Sequence, residues 1–209
     1  MSTRTILSTV GRLVLGGACV ISGACGGDLM RTGRAPMFLT IESMSAKPGG
    51  GGEEGSFLLS DVQVLVDQTV NGVTTKVPSV VNDTVTASIR SNEKNPSATA
   101  TLINAITLTR YHVEFRRTDG RNTPGVDVPF GFDGGLGVTI GPGTIAQVAI
   151  ELVRHQAKLE PPLKNLANTG GQGFISTIAE ITFYGRDQNG NEVSVIGRID
   201  VQFADFADK

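Results

Sequence analysis

Apolar residues return at every second position along most of this chain, the period of a strand with one buried face. Val62, Val64 and Val66 alternate with Asp61, Gln63 and Leu65 in the 60–67 segment. Shorter segments at 38–43, 74–77 and 84–90 read as strands too. They are divided by a Gly-rich loop at 47–55, by Asn71-Gly72, by Pro78 and by Asn82-Asp83, all of which favour turns. The 92–97 segment is a polar connection.

Two places in the pattern fix register. Across 102–118, Ile106 and Leu108 fall on even numbers but Tyr111, Val113 and Phe115 on odd ones. A period of two tolerates such a switch only if one residue is extra, so a β-bulge or a change of sheet is expected near Thr109-Arg110. In the C-terminal part, Ala179, Ile181, Phe183, Val193, Val195, Ile199, Val201 and Phe203 share odd parity. A two-residue turn at Asn189-Gly190 would set Phe183 against Ile196, on the wrong face. A three-residue loop, Gln188-Asn189-Gly190, with a left-handed Gly sets Asp187 against Asn191 and Phe183 against Val195.

Between these regions, 119–135 reads as a long polar loop rich in Gly and Pro. Strands at 136–140 and 145–153 then flank Gly141-Pro142-Gly143 as a hairpin. The one helix expected lies in 155–168, kept short because Pro161 and Pro162 forbid upstream extension. Val and Ile total 35 against 15 Leu, with 21 Thr, a bias toward side chains that suit pleated strands. The expectation is an all-β fold: an antiparallel β-sandwich, immunoglobulin-like by analogy of pattern, with one short helix. The Cys-Trp-Cys core signature is absent, since the chain has no Trp. A small closed barrel is the alternative.

The first 24 residues differ from the rest. Arg4 and Arg12 precede an apolar and small-residue stretch at 13–24 that ends at Cys25, the outline of a secretory signal. The segment Ile21-Ser22-Gly23-Ala24-Cys25 resembles the lipobox of bacterial lipoproteins, with Ser22 where Leu is commonest and Cys19 as a competing site. The resemblance implies a diacylglyceryl thioether on Cys25 after removal of 1–24, a tether over 25–36 and a folded domain over 37–209. Gly26 rather than Asp after that Cys implies sorting to the outer membrane of a diderm cell, facing the periplasm or the cell surface. Acyl chains contribute about 0.8 kcal/mol per buried methylene, enough together for stable anchorage. No Cys follows Cys25, so disulfides and thiolate metal sites are excluded from the folded part.

Charge narrows the function further. The chain carries 18 basic and 20 acidic residues, a net charge of −2, and has no broad basic character to attract nucleic acid. The run Gly49 to Gly52 lacks the Lys and hydroxyl of a phosphate-binding loop. Only His112 and His155 are available as bases for a nucleophile. His112 is expected to point outward with Glu114 and Arg116, and His155 to be a solvated loop residue, so no catalytic residue is assigned and the protein is read as a non-enzyme. Asp119, Asp127 and Asp133, joined by Asn122, are carboxylates and amides on one loop, but their spacing matches no calcium loop, and turn chemistry explains them better. Asp187, Asn189, Asn191 and Glu192 are explained by their hairpin. Arg110, Arg116, Arg117 and Arg121 cluster in sequence, yet alternation sends Arg116 and Arg117 to opposite faces. No cofactor and no metal is expected.

The candidate binding region is therefore the long loop, with Asp119, Asn122, Asp127, Phe130, Phe132 and Asp133. Phe130 and Phe132 flank Gly131 so that both can face one way toward a partner, or plug the end of the core. The leading expectation is a lipid-anchored extracytoplasmic interaction or structural module without catalytic activity, whose partners are the membrane and an envelope protein or polysaccharide. A carbohydrate-binding module is second, weakened by sparse aromatics. A glycosidase using paired carboxylates is third.

Overall fold

The computed structural model describes residues 33–97 and 99–206. The signal, the lipobox and Cys25 lie outside the described residues. The fold is all-β with one short helix. Its strands are β1 (Met37–Lys47), β2 (Phe57–Asp61), β3 (Val64–Val70), β4 (Val73–Ser79), β5 (Asp83–Glu93), β6 (Ile106–Arg116), β7 (Phe132–Ile140), β8 (Ile145–Val153), β9 (Phe174–Asp187) and β10 (Glu192–Ala204). The helix α1 is a single turn, His155–Lys158.

The strands form a three-stranded sheet ordered β1-β5-β8, a five-stranded sheet ordered β2-β10-β9-β6-β7, and a separate β3-β4 ribbon. Pairing is antiparallel except at one edge, where β2 lies parallel to β10, contrary to a purely antiparallel expectation. Alternation sends one face of each larger sheet into a shared apolar cluster. Leu39, Val85, Ile89 and Val148 enter it from the smaller sheet, and Val113, Ile181, Phe183 and Val201 from the larger. Phe115 meets Phe203 edge to face at 5.6 Å. Gly197 of β10 leaves room for side chains of β1, since a Cβ there would stand 2.4 Å from Met44 Sδ and 2.7 Å from Ile41 Cδ1.

Both register expectations hold. The pairings of β6 with β7 and with β9 slip between Leu108 and Arg110: against β9 Thr109 is the extra residue, and against β7 two residues, Leu136 and Gly137, stand opposite it. In the C-terminal hairpin Phe183 pairs with Val195. The Asp187 N–H donates to the Asn191 carbonyl at 3.0 Å, and Gly190 adopts a φ of 81°. The ribbon turns at Asn71-Gly72, both with positive φ, as a type I′ turn requires.

Several expected elements are redrawn. The strand expected at 60–67 is split: β2 joins the large sheet and β3 the ribbon. Asp61 makes the break, its carboxylate accepting the Gln63 N–H at 3.2 Å in place of a ladder partner. Pro78 lies inside β4 rather than ending it, because a ribbon edge needs no donor at that position. Residues 102–104 form a 3₁₀ turn with Leu102 and Ile103 exposed, so the long strand begins only at Ile106. The strands β7 and β8 are not a hairpin. They belong to different sheets, and the turn between them bonds to β5 instead, with Gly143 N–H donating to the Ser91 carbonyl at 2.9 Å. The helix expected in 155–168 breaks into α1 and a 3₁₀ turn, Leu163–Leu166, with Pro161 and Pro162 between them. A bulge in β1 between Ile41 and Ser43 was not anticipated.

The registers also give the molecule two unlike ends. At one, Met37 pairs with Glu93, Arg90 with Ile145, and Ile106 with both Ile140 and Asp187. Gly33 is there too, its carbonyl accepting from Lys94 Nζ at 3.3 Å, together with the turns at 141–144 and 188–191 and the longer 94–105 connection with its 3₁₀ turn. At the opposite end Lys47 pairs with Thr84, Asp83 with Val153, and Ala204 with both Asp61 and Phe174. This second end carries the Gly-rich loop, the ribbon, α1 and the loop at 117–131. Strands of 11 to 14 residues hold the ends roughly 35–45 Å apart at about 3.3 Å per residue.

Candidate functional site

The loop singled out by sequence is shorter than expected, because β7 begins at Phe132 and takes in Phe132 and Asp133. What remains, 117–131, is ordered by its own polar groups. Asn122 Oδ1 accepts the Arg117 N–H at 2.6 Å. Asp119 accepts from the Arg117 guanidinium at 3.1 and 2.5 Å and from the Arg121 guanidinium at 3.1 and 3.0 Å. Hydrogen bonds from Arg117 and the Arg121 backbone hold the Asp119 carboxyl well below the usual carboxylate range. Asp127 Oδ2 accepts the Thr123 N–H at 3.2 Å, closing a local turn.

Asp133 has different partners. It receives Arg110 Nη1 at 3.0 Å, with His112 Nδ1 at 3.3 Å, on the outer face of β6 and β7. The three loop-region aspartates thus serve three separate turns or ion pairs and do not converge. Among the described residues no group of three or more His, Cys, Asp or Glu side chains is placed to hold a metal ion. Arg116 turns to Glu114 at 2.9 Å while Arg117 turns to Asp119, so the arginines do not assemble into one anion site.

The two phenylalanines part company. Phe132 is 7% exposed and packs edge-on against Tyr111, with ring centroids 6.1 Å apart. Phe130 is 53% exposed. Successive odd and even parity cannot explain this, since both are even; the chain changes from loop to strand between them. The histidines also differ in setting. His112 is half-buried, facing Asp133 across the strand pair. His155 is held at the start of α1, where Asn82 Oδ1 accepts its backbone N–H at 2.6 Å and lies 3.0 Å from Nδ1.

Two concave surfaces occupy this end of the molecule. A groove of about 700 Å³ lies between the Gly-rich loop, β2 and β3, with Pro48, Glu54, Phe57, Leu59, Leu65 and Phe206 on its walls. A smaller pocket of about 290 Å³ lies between the 117–131 loop and α1, lined among others by Pro129, Phe130, Arg154, Glu160 and Pro161. Sequence reasoning found one wall of the smaller pocket, through Phe130, and missed the groove. Exposed apolar residues on an edge strand, Phe57 and Leu59 with Leu58 buried between them, were the available signal.

Beneath both surfaces lies a polar knot that sequence reasoning also missed. Lys158 Nζ is 2.9 Å from Asp83 Oδ2, and both side chains are 1% exposed. Every charge is answered. Asp83 also accepts the Ser60 hydroxyl at 2.6 Å and the Gly49 N–H at 2.8 Å, and Lys158 donates to the Asp61 carbonyl at 2.8 Å. The knot therefore joins β5, β2, the Gly-rich loop and α1 at one point, which fixes the scaffold under the groove and the pocket together.

Among the described residues no helix is long and apolar enough to cross a membrane. Comparison with known proteins gives little beyond this geometry. No family model and no curated protein matches the sequence. A solved structure described as "X-ray structure of Northeast Structural Genomics Consortium target SoR45" aligns with 81% of this chain and 86% of its own, at 11% identity and a TM-score of 0.33, a likeness on which no argument rests.

Proposed function

We propose that this protein is a lipid-anchored interaction module of the bacterial cell envelope, held by an acylated Cys25 and without catalytic activity. The observation that carries the reading is the polarity of the fold. The chain enters at the plainer end, which carries neither the groove nor the pocket, beside Gly33 and Lys94, while the groove, the pocket, the ribbon and the ordered loop all sit at the other end. A tether running from Cys25 to the first core residue, Ala35, fixes the plain end toward the bilayer, and the elaborated end is offered to an envelope protein or polysaccharide. The two larger sheets, sharing one core, are read as the faces of an immunoglobulin-like sandwich.

The anchor is tested by metabolic labelling with a palmitate analogue in a diderm bacterial host. Label is expected on the full chain and absent from Cys25→Ser, with Cys19→Ser unaffected. Retention of label in Cys25→Ser overturns the assignment. The target is sought by crosslinking in the envelope from Phe130 and from Leu59 at the elaborated end, with Ile103 at the plain end as control. Equal capture from all three positions contradicts the reading.

A further inference from the structure

The smaller pocket has chemistry that the interaction reading does not use. Arg154 follows β8 directly and stacks its guanidinium on the Phe132 ring at 4.1 Å. Its Nε is sealed from solvent and has no hydrogen-bond partner, and no carboxylate forms an ion pair with it among the described residues. Most other arginines near the surface here are matched to an acid, as Arg117 and Arg121 are to Asp119. A half-buried guanidinium stacked on an aromatic ring attracts a carboxylate, because its fork of donors fits two oxygens.

The same pocket holds Glu160, and among the described residues its carboxylate forms no ion pair with Arg154. One cation and one anion therefore face a space of about 290 Å³ whose other walls include Pro129, Phe130 and Pro161. A ligand that satisfies this set carries an anionic group, a cationic group and an apolar portion. The volume suits one residue-sized molecule.

We propose that this pocket binds a free α-amino acid with an apolar side chain, its carboxylate on Arg154, its ammonium on Glu160 and its side chain against Phe130 and the prolines. The inference does not depend on the lipid anchor or on an envelope partner. A cation and an anion in one lining disfavour both a simple dicarboxylate and an uncharged sugar. Arg154 takes the carboxylate through its two terminal nitrogens, since Nε is sealed, while exposed Glu160 selects for the amine.

Calorimetric titration of the full-length protein at pH 7 tests this with L-leucine, N-acetyl-L-leucine and L-leucinamide. Leucine is expected to bind with a dissociation constant at or below about 1 mM, and the two derivatives, each lacking one charge, about tenfold or more weaker. Arg154→Gln abolishes binding. Because that change also uncovers Phe132, the decisive variant is Glu160→Gln, at an exposed position that leaves folding intact. It is expected to erase the preference for leucine over N-acetyl-leucine and keep the preference over leucinamide. No heat with leucine up to about 10 mM, equal binding of all three compounds, or unchanged discrimination in Glu160→Gln each overturns the proposal.

Discussion

Lys158 on α1 and Asp83 on β5 form an ion pair at 2.9 Å that is almost wholly sealed from solvent, and around it the elaborated end of the molecule is assembled. Two charges removed from water are tolerated only when both are fully hydrogen-bonded. Here Ser60, Gly49 and the Asp61 carbonyl complete the set. A one-turn helix has too few internal hydrogen bonds to stand alone, so the pair also explains why α1 holds its place.

Breaking this pair on one side leaves a buried, partly orphaned charge. Lys158→Met is expected to lower unfolding free energy by about 3–5 kcal/mol in urea titration. Combined with Asp83→Leu the loss is less than the sum of the single losses by about 1 kcal/mol or more. Strict additivity would show that the two groups do not act as a unit.

Gly134 and Tyr111 are cross-strand partners, and the ring lies over the glycine. A Cβ at Gly134 would stand 2.2 Å from two ring carbons, whereas Gly135 and Gly137 have open space around them. Gly134→Ala is expected to destabilise by about 1–3 kcal/mol and the other two to change stability by no more than about 0.5 kcal/mol, as measured by denaturant unfolding. Equal effects at the three sites would contradict this packing.

The C-terminal register depends on a left-handed Gly190 at φ 81°. Gly190→Ala therefore costs about 1 kcal/mol, with Gly190→Asn milder, because Asn accepts that conformation more readily. Deleting Asn189 shortens the loop to two residues and sets Phe183 toward Ile196. Loss of cooperative thermal unfolding is the expected result of the deletion, and a variant as stable as the parent would refute the assigned pairing.

Asp119 is ionised to unusually low pH because Arg117 and the Arg121 backbone bond its charged form. Its folded pKa lies below the unfolded value, so its contribution is complete above the ordinary carboxylate range and is lost as pH falls through the folded value. Carboxyl NMR is expected to show no Asp119 titration between pH 7 and about 4. A midpoint near the ordinary aspartate value would mean that the ion pairs do not persist in solution. Asp119→Asn should raise amide exchange in the 117–122 segment at neutral pH.

Period-two patterning was enough to place the Thr109 bulge and to pair Phe183 with Val195, because a misplaced register there would expose large apolar side chains. The same pattern was blind to what parity does not change. Val62 and Val64 keep their buried faces through the break after β2, so nothing in alternation revealed that they belong to different elements. The β1 bulge was legible in principle, since Met37, Leu39 and Ile41 are odd while Met44 and Ala46 are even. Sheet membership of β7 and β8 was not, because a Gly-Pro-Gly turn serves a hairpin or a crossing between sheets equally well.

For the site, the loop at 117–131 was found through its length and its turn-forming residues, and Phe130 is exposed on it. Lys158 and Asp83 escaped because each looks ordinary locally, an Asp opening a strand and a Lys closing a helical turn. Only the pairing of elements distant in sequence brings them together. Arg154 escaped for the same reason: its ring partner Phe132 was assigned to a loop.

The central claim is that the membrane meets the plain end and the elaborated end points away. It is tested most directly with lipidated full-length protein in vesicles containing spin-labelled phospholipid, with a fluorophore on a single introduced thiol at Ile103→Cys or Phe130→Cys in a Cys19→Ser background. Strong quenching at position 103 and little at 130 is the expected result. Equal quenching at both positions, or stronger quenching at 130, would contradict the account.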